Sequence, residues 1–287
     1  LVRRNIKVIC IDKRATDLLS VVDIIRNNKN SILLFSKVLE WKASDVHCLC
    51  RINNECGGLN VMWVFDYMFY GNRMNSFSEQ IKYLDKLITT CECDFSQYGN
   101  FGRYTIRQAK EDRSGISIAK EGEKIYDVVF IGSIYTKERA DLLSKIGDRF
   151  TLKIYGKTSF KFRQVKVASP VYGLDMYDAI RKSKIIIGGN YVNDVPGYWS
   201  NRIYMQLGYG AFMITPYVDG IETDFVDNRD CVFYRDYDEH LELIDFLSKY
   251  INAPKERYQI ARRGLNVINK KHTWKHRIDD FIGAINE

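Results

Sequence analysis

No apolar run in this 287-residue chain is long enough to cross a membrane as a helix. The longest, such as Val128–Ile131 and Ile185–Ile187, have the length of a strand, against the roughly 20 residues a bilayer helix needs. No secretory signal pattern opens the chain, so a cytoplasmic protein is expected. Position 1 is Leu1 rather than methionine, and the native N-terminus is expected upstream. The C-x-x-C spacing of a zinc knuckle is missing too. The seven cysteines are an odd number, and Cys48-x-Cys50, with Cys56, and Cys91-x-Cys93 fall in alternating apolar runs that read as strands. They read as free, buried thiols in preference to zinc ligands. Basic charge is nowhere concentrated: 43 Lys and Arg against 36 Asp and Glu give +7, scattered along the chain. That balance suits anionic partners such as sugar nucleotides, nucleic acid or an acidic membrane face. No short repeat or low-complexity tract is present, and 46% hydrophobic with 28% charged residues is a globular composition, long enough for two domains.

What is there is an alternation of strand and helix patterns. Ile6–Ile11, Ser31–Phe35, Asp45–Ile52, Asn60–Phe65 and Leu87–Cys93 read as strands, with helices over Asp17–Arg26 and Phe77–Leu87. Tyr98–Glu123, with Gly99, Gly102, Gly115 and Gly122 among mixed charges, reads as a linker. The alternation restarts at Asp127–Ile131 and runs through helix Thr136–Ile146, strand Phe150–Tyr155, helix Leu174–Lys182 and strand Ile185–Gly188. Helix Arg202–Tyr209, strand Ala211–Thr215, strand Cys231–Tyr234, helix Asp238–Ile251 and a basic helical region from Pro254 follow. Two α/β halves are expected, residues 1–123 and 124–287, as Rossmann-like domains facing a central cleft with ligand at the strand C-termini.

Two segments carry the chemistry of a diphosphate site. In the first, strand Val129–Ile131 ends in Gly132-Ser133 and a helix begins within four residues. A glycine there admits a phosphate, the following N–H groups and the helix dipole stabilise its charge, and Arg139 lies one turn into that helix. In the second, Gly197-Tyr198-Trp199-Ser200-Asn201-Arg202 begins a helix, and Gly208 and Gly210 lead into an apolar strand ending at Pro216. Beyond it, Gly220 and Glu222 form a turn whose carboxylate is of the kind a helix start favours. His272 and His276 have an i, i+4 spacing able to chelate metal. Thr273 stands where a zinc protease has its glutamate and no third ligand is evident, so no metal site is expected.

These elements, in this order, resemble the GT-B glycosyltransferases of group 1, in the branch that includes the CgeB-like spore-maturation proteins. The resemblance rests on Asp127-Val128-Val129-Phe130-Ile131-Gly132-Ser133 with Arg139, on Ile154-Tyr155-Gly156, on Asn190-Tyr191 and Gly197–Arg202, on Val232–Asp236 and on His272–Arg277. It implies a GT-B architecture and a hexosyltransferase-like, metal-independent enzyme with no cofactor and a nucleotide-sugar, most often a UDP-sugar, as co-substrate. It further implies donor binding by Gly132, Ser133, Arg139, Ser200, Asn201, Arg202, Gly220 and Glu222, with Arg202 on the diphosphate. Three residues after that arginine the family carries a glutamate that accepts from the ribose hydroxyls. Here the position is Met205, for which Gln206 or Glu222 are the available stand-ins.

The first half should supply the acceptor site. Asp66, at the end of an apolar strand and followed by Tyr67 and Phe69, is the candidate base that deprotonates an acceptor hydroxyl. A more distant resemblance to the T-even phage DNA β-glucosyltransferases, at the Gly-Ser…Arg turn and at this aspartate, makes modified DNA an alternative acceptor to a glycan or protein. Trp63, Tyr67, Phe69 and Tyr70 provide aromatic surface for a flipped base. A third reading, of another class, is a non-catalytic sugar-nucleotide-binding or structural protein, for which Met205 speaks.

Overall fold

The computed structural model describes residues 6–36, 40–69, 72–92, 95–190, 192–236 and 240–287. The chain divides into two compact units, Leu1–Gln108 with Arg277–Glu287, and Ala109–His276. The break therefore falls at 108/109 where the sequence pattern placed it at 123/124, and the C-terminal residues from Arg277 group with the first unit.

In the first unit, α1 (Leu18–Asn27) is capped by Asp17, whose carboxylate accepts from the Ser20 N–H at 3.0 Å. β1 (Ile32–Phe35), α2 (Ala43–Glu55), β2 (Leu59–Val64), α3 (Arg73–Ile81), β3 (Lys86–Thr89) and β4 (Gly102–Thr105) follow. The four strands are parallel and lie in the order β1-β2-β3-β4, so the strand order never reverses. Met62, Val64 and Leu87 of the sheet pack with Val46, Leu49, Phe77 and Ile81 of the helices.

Three expectations for this half are corrected. Asp45–Ile52 belongs to helix α2: its buried residues Val46, Leu49, Cys50 and Asn53 repeat at i, i+3, i+4, i+7, a helical stripe that overrides the local two-residue alternation. Residues 6–12 form no strand, and Ile6, Val8 and Ile9 stay exposed, because no apolar face covers them. The glycine-rich segment after Tyr98 contains β4, an edge strand with Gly102, Arg103 and Thr105 exposed; it has no apolar run to betray it and is defined by its ladder with β3.

The second unit holds β5 (Tyr126–Ile131), α4 (Lys137–Gly147), β6 (Leu152–Tyr155), β7 (Val167–Ala168), α5 (Gly173–Arg181) and β8 (Ser183–Ile187). Then come α6 (Arg202–Gly208), β9 (Met213–Pro216), β10 (Val232–Tyr234), α7 (Leu241–Ile251) and α8 (Pro254–Lys271); the division between the units runs through α9 (Trp274–Asn286). Its six parallel strands lie in the order β10-β9-β8-β5-β6-β7. Chain order runs outward from β5 in one direction and from β8 in the other, the doubly wound arrangement, with a topological switch point between β5 and β8. Both faces are covered, which is why the strands read as continuous apolar runs. Val128, Phe130, Ile185, Ile187 and Ile214 face Leu142, Leu143, Ile146, Leu243 and Leu247, while Val129, Ile131 and Ile186 face Met176, Ala179 and Ile180. Among the described residues no helix is long and apolar enough to cross a membrane.

Candidate active site

The switch point lies where β5 ends in Ile131-Gly132 and β8 ends in Ile187-Gly188-Gly189. Ligands of doubly wound sheets bind outside the strand C-termini at this point. Arg202, the first residue of α6, reaches into it. Its Nη2 donates to the Gly189 carbonyl at 2.7 Å and its Nε to Ser200 Oγ at 3.1 Å. Its Nη1 lies over Gly132: a Cβ at that position would stand 2.2 Å from it, so only glycine lets the guanidinium lie across the strand end.

α6 is held in place from its other side. Trp199 Nε1 donates to Tyr204 Oη at 2.8 Å, and Tyr204 Oη donates to Asp224 Oδ2 at 2.5 Å, all in a buried cluster with Ile203, Leu207 and Phe225. With one face so fixed, Arg202 has little freedom to leave the switch point. The approach loop is fixed as well, since buried Asn190 accepts from the Ser200 N–H at 2.8 Å through Oδ1. Asn201 precedes the helix without capping it, and its Oδ1 is buried with no hydrogen-bond partner among the described residues.

Arg139 comes to the same place from α4, whose N-cap Thr136 accepts from the Arg139 N–H at 3.3 Å. Its Nη1 donates to the Ser133 carbonyl at 3.0 Å and its Nη2 to the Asn190 carbonyl, tying together the loops that follow β5 and β8. Arg139 thus braces the two loops through their carbonyls. The two arginines repel. Burial first, then the charge of Arg139, push the Arg202 pKa down to about 10, and only the hydroxyls of Tyr198 and Tyr135 oppose this. No carboxylate is paired with Arg202 among the described residues. A partly buried cation beside a second cation, with no acid to neutralise it, is costly unless an anion arrives.

Gly220 and Glu222 lie on the neighbouring loop after β9. The Gly197 N–H donates to the Asp219 carbonyl at 2.7 Å, which joins that loop to the one carrying Ser200. Gly220 opens a single 3-10 turn, Ile221–Thr223, and Glu222 is exposed, 3.4 Å from Tyr217 Oη. Met205 is half-buried against the apolar layer of Val129, Ile131, Ile186 and Tyr209. Of its two proposed stand-ins, Gln206 is excluded: it is only 1% exposed and points into the protein interior. Glu222 remains accessible.

The two histidines do not share a helix, because His272 terminates α8 whereas His276 lies in the first turn of α9. His272 packs against Tyr204 and Phe225, and His276 Nδ1 is 2.8 Å from Thr273 Oγ1. Both roles are structural. Among the described residues no group of three or more His, Cys, Asp or Glu could hold a metal. Of the cysteines, Cys93 lies outside the described residues; Cys10, Cys48, Cys50, Cys56, Cys91 and Cys231 are free thiols, with Cys50, Cys91 and Cys231 buried. Burial pushes the Cys50 thiol up to about 12, which keeps it protonated and unreactive.

A pocket of about 170 Å³ opens at the strand C-termini, lined by Phe130, Tyr135, Arg139, Gly189 and Asn190 among others. A larger one, about 540 Å³, lies at the opposite edge of the same sheet, among Lys124, Lys184 and the start of α8. Size and chemistry disagree here. The switch point is the better candidate for the transfer site because it combines the topological position, the glycine contact and the unneutralised guanidinium.

The glycosyl transferase-like family matches residues 137–283, just over half of the chain. The chain belongs to this family. The match includes Arg139, Ser200, Asn201, Arg202, Gly220 and Glu222, and begins just after Gly132 and Ser133. Solved structures agree in fold. HepE of Anabaena, in complex with UDP and glucose, superposes with a TM-score of 0.71 at 9% identity over 94% of this chain and 81% of its own. TarM of S. aureus does so with 0.66 at 12% identity over 94% of this chain. The sucrose-phosphate synthase of Thermosynechococcus elongatus gives 0.62 at 8% identity, over 85% of this chain and 71% of its own. These likenesses establish the GT-B architecture for this glycosyl transferase-like chain, which spans 58% of the length of TarM. No curated protein matches it in sequence.

In the first unit, Asp66 lies two residues beyond the end of β2 and is exposed. The preceding Phe65 carbonyl accepts from Gln108 Nε2 at 2.9 Å and from Thr90 Oγ1 at 3.4 Å, so its backbone is anchored while its carboxylate stays open to solvent. Tyr67 and Phe69 stand near each other, ring centroids 5.9 Å apart, but Phe69 stacks on buried Phe95 and so belongs to the core edge. Gly189 also belongs to the site, and its sequence signal is the Gly188-Gly189 pair immediately after an apolar strand, which marks a backbone that another group approaches closely.

Proposed function

We propose that this protein transfers a sugar from a nucleoside-diphosphate sugar, a UDP-sugar in the first instance, to an acceptor hydroxyl. The observation that carries the reading is the Arg202 guanidinium lying across Gly132 at the switch point, beside Arg139 and with no carboxylate paired to it among the described residues. The leaving diphosphate would take that position. Arg202 Nη1 and the N–H groups of the Gly132–Ser133 turn would stabilise the charge that develops as the glycosidic bond breaks. Fixed cations and amides of this kind do the work a divalent metal does elsewhere, so we propose a metal-independent reaction without a cofactor. Arg139 would hold the Ser133 and Asn190 carbonyls back so that the loop amides face the ligand, and Ser200, Asn201 and Gly220 would shape the donor loop. With Met205 in an apolar layer, Glu222 is the carboxylate we assign to the donor hydroxyls.

Asp66, exposed just beyond the end of β2, is the group we assign to take the acceptor proton, as an inverting transferase requires. The complexes of HepE with UDP and with UDP-glucose support a uridine donor. For the acceptor, a glycan or protein hydroxyl is the reading we adopt, in a protein that works in the cytoplasm.

The test is donor turnover. Incubated with UDP-glucose, UDP-N-acetylglucosamine and UDP-galactose in the presence of EDTA, the protein should bind at least one and release UDP slowly by hydrolysis. Binding without release would make it a sugar-nucleotide-binding protein, and absence of both would overturn the donor assignment.

A further inference from the structure

The switch point does not use the 540 Å³ pocket at the other edge of the sheet. Lys124 lies two residues before β5, Lys184 is the second residue of β8, and Phe212 immediately precedes β9, so this pocket opens beside the strand N-termini. A five-residue strand such as β8 separates the two edges by about 16 Å. No ligand at Arg202 fills both.

The lining is strongly one-signed. Lys120, Lys124, Lys184, Lys255, Arg257 and Arg262 face it, against Glu121 as the one acid. Two of the cations are already satisfied. Arg257, 3% exposed, donates to the Ile251 carbonyl at 2.7 Å, to the Tyr250 carbonyl and to Glu121, and so closes the C-terminal end of α7. Lys184 pairs with Asp127 at 2.8 Å. Glu121 is bonded to Arg257, and the side chains of Lys124, Lys255 and Arg262 have no hydrogen bond or ion pair among the described residues. Lys124 is half-buried nonetheless, and burial pushes its ammonium down to about 8; the charges of Glu121 and Glu123 oppose this, while Arg257 and Arg181 add to it. The floor is apolar, formed by Ile118, Phe212 and Ala261. At the rim, α8 starts with Pro254 and without a side-chain cap, so its first free N–H groups add positive potential on the same side.

We propose that this pocket is a second ligand site, for a phosphorylated compound whose phosphate groups lie among Lys124, Lys255 and Arg262 while a less polar body covers Ile118 and Phe212. Three unpaired cations around an apolar floor suit an amphiphilic phosphate ligand. Its volume falls in the range of small-ligand sites, roughly 300–1,000 Å³. Two sources share this chemistry, a soluble phosphorylated metabolite and the phosphate headgroup of a lipid.

The test uses the whole chain with saturating UDP, so that the switch point is occupied. Pyrophosphate is titrated calorimetrically, and sedimentation with phosphatidylglycerol vesicles is compared with phosphatidylcholine vesicles. The variant is the triple change Lys124→Gln, Lys255→Gln, Arg262→Gln, which spares Arg257 and should keep the thermal midpoint and the UDP affinity. Pyrophosphate binding in the presence of UDP that weakens by about tenfold or more in the triple variant supports a soluble ligand. Cosedimentation with the anionic vesicles alone, lost in the triple variant, supports a lipid headgroup. Binding that survives the triple variant, or absence of both kinds of binding, overturns the proposal.

Discussion

Replacing Arg202 by methionine separates a binding role from a structural one. In the free protein the buried guanidinium is under opposing influences. The fall of its pKa from the ordinary arginine value to about 10 corresponds to on the order of 3 kcal/mol against the charged form. Its bonds to the Gly189 carbonyl and Ser200 Oγ favour it by about 1.5–3 kcal/mol each. Methionine fills much of the same volume and removes both effects, so folding stability should change by no more than about 3 kcal/mol, at most about ten degrees in thermal midpoint. Ligand binding has no such compensation. A diphosphate that loses one or two charge-assisted bonds loses roughly 2–5 kcal/mol, or about 30- to several-thousand-fold in affinity. Calorimetry with UDP measures the second quantity and differential scanning the first. In the wild type, UDP at about 100 times its dissociation constant should add roughly 2.7 kcal/mol of stability, and in Arg202→Met the same UDP concentration should add less than about 1 kcal/mol. UDP affinity within fivefold of wild type in Arg202→Met would refute the assignment of the diphosphate to this residue.

Other substitutions probe the remaining parts. Asp66→Asn should lower sugar transfer by about 10²–10⁴-fold and leave UDP affinity unchanged, as steady-state kinetics beside calorimetry would show. Met205→Glu should raise UDP affinity by about tenfold through the ribose hydroxyls while lowering the thermal midpoint, because a carboxylate enters an apolar layer. Gly208→Ala should destabilise by about 1–3 kcal/mol in urea denaturation, since its Cβ would stand 2.1 Å from Cδ of the fully buried Lys110. Lys124→Met should stabilise the protein near pH 7 by roughly 1–2 kcal/mol, a figure reduced for partial solvent screening. Its folded pKa, about 8, is below the ordinary 10.5, so between those values the unfolded chain binds more protons and wild-type stability rises with pH. The advantage of the variant should therefore fade from pH 8 to 10.5 in denaturation midpoints.

The second unit was legible because its doubly wound sheet buries both faces. Val128–Ile131 and Ile185–Ile187 are apolar throughout, as interior strands are, and Gly132 directly follows the first of them while Arg202 opens the next helix after the second. The first unit was harder to read. α2 alternates apolar and polar residues over eight positions, and only its burial at four-residue spacing declares a helix. β4 is exposed and exists through its pairing with β3, which no local pattern encodes. At the site, residue types pointed to Arg202 and Arg139 as candidates but not to Arg139 directing its guanidinium to carbonyls rather than outward, since that depends on where the loop after β8 comes to rest. The fate of Gln206 was hidden for a similar reason: its neighbour Met205 is half-buried on one side of α6, and only the packing of α6 on α8 shows that Gln206 faces inward.

The central claim is that a nucleoside diphosphate binds at the end of β5 under Arg202. A crystal soaked with UDP tests it most directly. The account predicts diphosphate density within hydrogen-bond distance of Arg202 Nη1 and the Gly132–Ser133 amides. Density confined to the Lys124 pocket, or none at either place at millimolar UDP, would contradict it.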